Sequence, residues 1–360
     1  MSAPLDIVIF GLTLSSSWGN GHATTYRALL RGLRAEGHRV LFLECDKPWY
    51  ASNRDLPHPE FCDFALYDTT EAALRAHTER IRGADAVIVG SYVPDGVALI
   101  DRLAALNLPM LAFYDIDTPV TLDRLDCDDP ECIAPRQVSL FDRYLSFSGG
   151  AVLDLLQDRF GARDARALYC SVDAEAYAPQ DVSTRWDLGY LGTYSDDRQP
   201  QLETLLIEPA RRLPDMRFVV AGPQFPQSID WPANVERIDH LPPAEHAIFY
   251  SRQRFTLNVT RAAMRRLGWS PSVRLFEAAA CGVPIISDRW KGIDDVLPEG
   301  EAILIADGSD AVVRALTTTA ETRRRALADA ARHRVLTRHT GRARARDLTD
   351  ILRQPVSAGA

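Results

Sequence analysis

Twice along this chain, short apolar runs bounded by turn-forming residues alternate with helix-periodic stretches, and no other feature narrows the possible folds so far. Runs at 5–10, 40–43, 86–89, 110–114, 144–147 and 167–169 make a first series; runs at 188–191, 218–221, 235–238, 255–259, 284–287 and 302–305 make a second. Such short, mainly apolar runs, separated by helical patterning, are how parallel strands covered on both faces read. Each series therefore predicts a doubly wound, Rossmann-like α/β domain. A polar stretch at 175–186, with Pro179, Gln180, Asp181 and Ser183, falls between the series and predicts a linker. The expected division is a first domain over 1–176, a second over 186–335 and an Arg-rich helical tail over 336–360. Open parallel sheets bind ligands beyond the C-terminal ends of their strands, so the active site is expected in a cleft that the two domains face.

With 360 residues, 46% hydrophobic and 25% charged, the chain can fill two cores. A net charge of -8 argues against a protein built to grip nucleic acid, whose phosphate contacts need a basic surface. The first residues lead straight into an apolar run, with neither a basic leader nor a stretch long enough to span a bilayer; a cytoplasmic location is the expectation. Cys45, Cys62, Cys127, Cys132, Cys170 and Cys281 lack zinc-site spacing and are expected as free thiols. Cys127 and Cys132 bracket Asp128, Asp129 and Glu131, a pattern too sparse to define a metal site, and no resident metal or cofactor is expected.

The segment 269–288 carries the most chemistry. Ser270 suits an N-cap, Pro271 the first helical position and Gly282 the residue past the end, so a helix is predicted over about 271–281. Val273, Phe276 and Ala280 would form its apolar stripe, with Arg274 and Glu277 sharing another face. The first-turn N–H groups at Ser272 and Val273, the helix dipole and Arg274 can together hold a pyrophosphate. Glu277 is then left to accept from ribose hydroxyls. A plain amphipathic helix with an Arg274–Glu277 surface pair, worth about 0.3 kcal/mol, fits the same residues. In the opening strand of the second series, Gly192 lets a ligand approach the backbone, Thr193 and Tyr194 offer hydroxyls and Arg198 offers charge. Arg261, just past another strand, can reach the same phosphates.

The Glu277-Ala-Ala-Ala-Cys-Gly-Val-Pro-Ile-Ile286 run resembles the nucleotide-sugar-binding domain of GT-B glycosyltransferases, in particular the spore-maturation CgeB-like family. The resemblance implies a GT-B fold, two Rossmann-like domains with a last helix that crosses back to the first, and a metal-independent sugar transfer from a UDP, dTDP or GDP type of donor. It implies that Glu277 contacts the donor ribose, that the Gly192–Arg198 loop contacts the diphosphate and that main-chain groups at His240 and Leu241 clasp the base. Related retaining families carry a second Glu eight residues before the ribose-binding one. Here that position is Trp269, which leaves retention against inversion open. The acceptor is a hydroxyl on an unidentified glycan, protein or small molecule. A nucleotide-sugar epimerase and a non-catalytic nucleotide-sugar-binding protein remain alternatives.

In the first series, a glycine- and hydroxyl-rich loop at 11–21 opens a helix near Ala23. Gly19-x-Gly21 followed by Glu44 mimics a dinucleotide fingerprint, but Thr24 replaces the third glycine and Gly19 lies far beyond the strand. His22, at the start of that helix, fits either a base or a packing residue; the resemblance adds that some inverting GT-B enzymes hold a catalytic His there. Asp115 and Asp117 follow the fourth strand at i, i+2 spacing, so mutual repulsion would raise one pKa and suit Asp117 to take an acceptor proton. Asp117 as a turn cap with Asp115 in solvent fits equally. The Gly149-Gly150 turn offers backbone amides or is a plain strand-to-helix turn.

Overall fold

The structure is a computed structural model that describes residues 3–18, 21–127 and 129–355. By contact the chain divides into two units. The first comprises the chain up to Ser171 together with the segment from Thr340, and the second is Val172–His339.

The first unit holds seven parallel strands: β1 (Asp6–Gly11), β2 (Arg39–Cys45), β3 (Asp63–Tyr67), β4 (Ala86–Gly90), β5 (Leu111–Asp115), β6 (Arg143–Ser146) and β7 (Ala165–Ala167). Their order is β3-β2-β1-β4-β5-β6-β7. Ile7 to Phe10 and Ala86 to Val89 are buried on both faces, as central parallel strands require. β3 is the strand that the periodicity does not foresee. It sits at the edge against β2 alone and leaves Asp63 and Leu66 exposed, and its short apolar run, Phe64-Ala-Leu-Tyr67, is closed by an aspartate at each end.

The second unit holds six parallel strands: β8 (Trp186–Leu191), β9 (Phe218–Ala221), β10 (Val235–Ile238), β11 (Gln253–Asn258), β12 (Ile285–Ser287) and β13 (Leu304–Ile305). Their order is β10-β9-β8-β11-β12-β13. Its core packs Leu188, Tyr190, Phe218, Phe255, Leu257 and Ile286 against Leu205 and Leu206 of the crossover helices. In each sheet the chain winds outward in both directions from a central pair, β1 with β4 and β8 with β11. Loops leaving such a pair diverge and open a crevice at the strands' C-terminal ends.

The polar stretch expected as a linker is laid on the second unit. Tyr177 is buried, Gln180 N–H donates to Ser251 Oγ at 3.0 Å and Arg185 N–H donates to the Arg252 carbonyl at 2.8 Å. Its polarity marks a surface strap. The last helix, Gly341–Arg353, begins at the Thr340 cap and packs on the His22–Ala35 helix of the first unit. Two glycines let their backbones meet: a Cβ on Gly341 would lie 2.0 Å from the Ala28 carbonyl oxygen, and one on Gly32 would lie 2.1 Å from that of Gly341. Fully buried Arg143 on β6 pairs with Asp164 at 3.2 Å and donates to the carbonyls of Gln354 at 2.6 Å and Pro355 at 3.0 Å, which ties down the end of this segment.

All six cysteines are unpaired, and among the described residues no helix is long and apolar enough to cross a membrane. Replacing Gly341 by Val forces the two helices apart and should destabilise the chain by about 1–3 kcal/mol, the usual cost of overpacking. Urea denaturation reads this directly, and an unchanged midpoint would show that the helices separate freely.

Candidate functional site

At the second unit's central pair, the Val273–Ala280 helix points its N-terminus toward the ends of β8 and β11. The helix begins two residues later than expected. Ser270 Oγ donates to the Gly268 carbonyl at 2.8 Å, and Pro271 precedes the helix. Ser272 is the N-cap, with φ -74° and ψ 149°, yet it makes no side-chain cap: its hydroxyl donates to Asn258 Oδ1 at 2.8 Å. The first-turn N–H groups of Val273 and Arg274 are thereby left without a side-chain acceptor. The other end closes as expected, with Gly282 at φ +70°, Gly282 N–H donating to the Ala279 carbonyl and Val283 N–H to that of Ala278. The expected apolar stripe is too narrow, because every residue from Arg274 to Ala280 is buried between β11, β12 and the helices His246–Ser251 and Glu321–Arg338.

Arg274 is 8% exposed and bridges the central pair. Its Nε donates to the Leu191 carbonyl at the end of β8 (2.5 Å), and its Nη1 to Asn258 Oδ1 at the end of β11 (3.0 Å). Its guanidinium lies 4.8 Å from the centroid of the Tyr190 ring. A Cβ at Gly192 would sit 2.6 Å from the Tyr190 hydroxyl and 2.7 Å from Arg274 Nη2, so any side chain there would displace one of them. Among the described residues no carboxylate pairs with Arg274; its acceptors are neutral oxygens. Arg198 donates from Nε to Ser195 Oγ at 2.8 Å. Burial pushes its pKa down, and of the neighbouring charges Tyr190 opposes that while Arg274 and Arg261 add to it. Arg274 and Arg261 thus both lie within electrostatic reach of Arg198. Asp197 accepts from Ala262 N–H at 2.9 Å. Burial works to raise its pKa, but bonds from Ser195 and Ala262 and the charges of Arg261 and Arg198 hold it below its usual value. Thr193 is exposed, while Tyr194 donates its hydroxyl to Asp196 at 2.6 Å and rests edge-on against Phe225.

One turn along the helix, Glu277 is 6% exposed, so the surface-pair reading fails on burial alone. The Tyr250 hydroxyl donates to its Oε2 at 3.4 Å. Burial first, and then the Glu277 charge, pushes the Tyr250 and Tyr177 hydroxyls well above their ordinary pKa. Tyr177 Oη lies 3.1 Å from His246 Nδ1, and the other ring nitrogen donates to the Leu241 carbonyl at 3.2 Å. That carbonyl is thus already engaged from within, while His240 is exposed just past β10. Where the resemblance raises the question of a second acid, Trp269 stands at φ +44°; its N–H donates to the Lys291 carbonyl at 2.6 Å and its Nε1–H to Asp295 at 3.1 Å.

In the first unit the residues expected to handle an acceptor do come together, through a tyrosine that the sequence does not flag. The His22 ring meets Tyr92 edge-on at 5.4 Å, and the Tyr92 hydroxyl donates to Asp117 Oδ2 at 3.1 Å. Burial lowers the His22 pKa to about 4, so the imidazole is neutral at pH 7. Asp117 stands at the N-cap of the Thr118–Asp126 helix without capping it. Its neighbour Asp115 does not face solvent. It is fully buried and accepts from Tyr144 Oη (2.7 Å) and Thr121 Oγ1 (2.8 Å). Burial raises the Asp115 pKa to about 6, with the Asp117 charge a lesser contributor, so desolvation outweighs the repulsion that the spacing suggests.

The dinucleotide competitor loses its acid. Glu44 is fully buried and accepts from Leu14 N–H (2.6 Å), Ser15 N–H (2.9 Å) and Ser15 Oγ (2.6 Å), so it shapes the first loop from within. Gly19 lies outside the described residues, as does Asp128 of the acidic loop. There Asp129 and Glu131 both face Arg124, at 4.0 and 3.1 Å, and among the described residues no cluster of His, Cys, Asp or Glu could hold a metal. At the Gly149-Gly150 turn, the Ser148 N–H is taken by Ser146 Oγ.

Asn258, Tyr250, Tyr177, His246 and Tyr92 escape sequence reasoning. Asn258, a polar amide at the C-terminal end of β11 where ligands of open parallel sheets bind, gave the one available signal.

Residues 198–350 match the family described as glycosyl transferase-like. No curated protein matches the chain's sequence. Among solved structures, sucrose-phosphate synthase from Thermosynechococcus elongatus superposes with a TM-score of 0.74 at 14% identity, over 99% of this chain and 100% of that one. HepE of Anabaena, in complex with UDP-glucose, gives 0.66 at 12% identity over 97% and 99%. AviGT4, a glycosyltransferase involved in avilamycin A biosynthesis, gives 0.65 at 14% identity over 99% of each chain. The fold is that of the GT-B glycosyltransferases.

The Asp115 shift carries a stability signature. An unfolded aspartate releases its proton near 3.8, whereas folded Asp115 keeps it to about 6. Between those values the folded chain binds more protons, so the contribution is complete below about pH 4 and is lost as the pH rises through 6. Two pKa units amount to roughly 3 kcal/mol. Wild type should therefore lose stability relative to Asp115→Asn between pH 4 and 7 in chemical denaturation; a difference that stays flat with pH would remove Asp115 as the cause.

Proposed function

We propose that this chain is a glycosyltransferase, kin to the CgeB-like proteins, that moves a sugar from a nucleoside-diphosphate sugar to a hydroxyl acceptor without a divalent metal. Six unpaired cysteines favour a reducing, cytoplasmic setting. The observation that carries the reading is Arg274, a buried guanidinium with no carboxylate partner among the described residues, beside Arg198, Arg261 and the uncapped N-terminus of an eight-residue helix. A buried cation held only by neutral oxygens is costly unless an anion completes it. A diphosphate supplies that anion, and the leaving nucleoside diphosphate gains negative charge as the sugar's anomeric C–O bond breaks. Arg274, Arg198 and Arg261 neutralise that charge, each bond to a phosphate oxygen contributing about 1.5–3 kcal/mol.

In this reading the diphosphate lies over Ser272, Val273 and Gly192, with Thr193 and Tyr194 at its side. Glu277 takes the ribose hydroxyls, one helical turn from Arg274, and main-chain groups near His240 and Leu241 meet the base. Asp117 accepts the acceptor's proton as the new C–O bond forms. His22, neutral at pH 7 and joined to Asp117 through Tyr92, is the second group assigned to that proton. Since HepE is described in complex with UDP-glucose, UDP is the first nucleotide to test.

By isothermal titration calorimetry, Arg274→Ala should bind UDP, or whichever of UDP, GDP and dTDP the wild type prefers, about tenfold to a hundredfold more weakly. Glu277→Ala should weaken the nucleotide while sparing inorganic pyrophosphate. Equal nucleotide affinity in both variants would refute the assignment of the site. Donor cleavage should also persist in excess EDTA, and a rate that collapses on chelation and returns with added divalent cation would overturn metal independence.

A further inference from the structure

The side chain that meets both Arg274 and the N-cap serine is Asn258, and all four of its hydrogen-bonding positions are occupied. Oδ1 accepts from Ser272 Oγ at 2.8 Å and from Arg274 Nη1 at 3.0 Å. Nδ2 donates to Thr260 Oγ1 at 3.2 Å and to Ser287 Oγ at 2.9 Å. The amide has only one workable orientation. Thr260 Oγ1 donates its proton to Asp288 Oδ1 (2.8 Å) and Ser287 Oγ donates its proton to the Asp288 carbonyl (2.9 Å). Both hydroxyl oxygens therefore present lone pairs to Asn258 and require a donor from it. The remaining oxygen of the amide must face Arg274 and Ser272. Asp288, 2% exposed at the end of β12, is fixed in turn by the Thr260 N–H at 3.2 Å.

An oxygen is needed at this place, and an amide and a carboxylate would both supply one. They differ in what they leave behind. A carboxylate would hold the guanidinium equally well but neutralise it, and would compete with any ligand anion. The amide fixes the geometry and leaves the charge unspent. By accepting from the Ser272 hydroxyl, it also holds that serine in the rotamer in which it does not cap its own helix.

We propose that Asn258 is a positioning residue for the anion site, holding Arg274 in place through a neutral oxygen while keeping its charge and the first-turn N–H groups open to a diphosphate. This rests on the donor-site reading above. Asn258 acts through Arg274 and Ser272 and touches no reacting atom.

The test compares UDP with uridine, by isothermal titration calorimetry on the full chain, for wild type, Asn258→Asp and Thr260→Val. Asn258→Asp should weaken UDP by about tenfold or more while uridine stays within about threefold, because the near-isosteric carboxylate cancels the charge that the diphosphate needs. Thr260→Val removes one of the lone pairs that orient the amide and should shift the same balance in the same direction, which keeps the proposal refutable if the aspartate variant does not fold. A merely structural role would lower both affinities alike. UDP binding that is unchanged in the variants, or lost in step with uridine, overturns the assignment of Asn258 alone. A wild type that binds no nucleoside diphosphate overturns the donor site, and this proposal with it.

Discussion

The bridge that Arg274 makes between the ends of β8 and β11 is the interaction around which the second unit's site is built. Parallel strands diverge in their connections at that pair, so the crevice there is a consequence of topology before any side chain is considered. Placing a guanidinium across it joins Leu191 to Asn258 and sets what its neighbours can be. Gly192 must lack a side chain to make room, and the Tyr190 ring supports the cation from below. The helix that carries Arg274 is buried nearly all round, which denies it the solvent that would otherwise screen its charge.

Much of this architecture is legible from the sequence because it rests on local, repetitive signals. Buried parallel strands announce themselves as apolar runs; the first sheet's two edge strands are the ones misplaced, β3 missing from the series despite its apolar 64–67 run and β7 lying two residues ahead of the run at 167–169. The end of the key helix is likewise legible, since a glycine past the last turn has a single steric meaning and Gly282 adopts it. The start is misread by two residues, and for a specific reason. Ser270 and Pro271 satisfy the local rules for helix initiation, but the serine that occupies the N-cap spends its hydroxyl on a residue fourteen positions earlier. Tertiary partners override local preference at the point where the site is assembled.

The same limit explains the acids. Spacing puts Asp115 and Asp117 close together and suggests that repulsion governs them, whereas the sheet buries one and leaves the other half-exposed, so desolvation decides. Glu44 has the right separation from a glycine-rich loop to resemble a ribose ligand, yet the loop folds back to consume it. Tyr92 joins His22 to Asp117 from a separate loop, and no periodicity marks it. Residue types in sequence order indicate which chemistry is available; burial, which is a property of the whole fold, selects the groups that retain it.

Two buried arginines in this chain make the distinction between structural and functional charge concrete. Arg143 is sealed within the first unit, and its charge is met by Asp164 and a set of carbonyls from the last segment. Removing Asp164 would strand it, which is how an arginine serving stability is expected to behave. Arg274 is nearly as buried but, among the described residues, meets two carbonyls and an amide and no carboxylate. If its purpose were to hold β8 to β11, a carboxylate at position 258 would do so equally well and pair the charge, and a neutral side chain at 274 would avoid the desolvation cost altogether. The combination of a retained cation with a neutral partner makes sense when the missing negative charge arrives with a ligand. The free protein then carries the cost of the unpaired charge, and the ligand recovers it on binding.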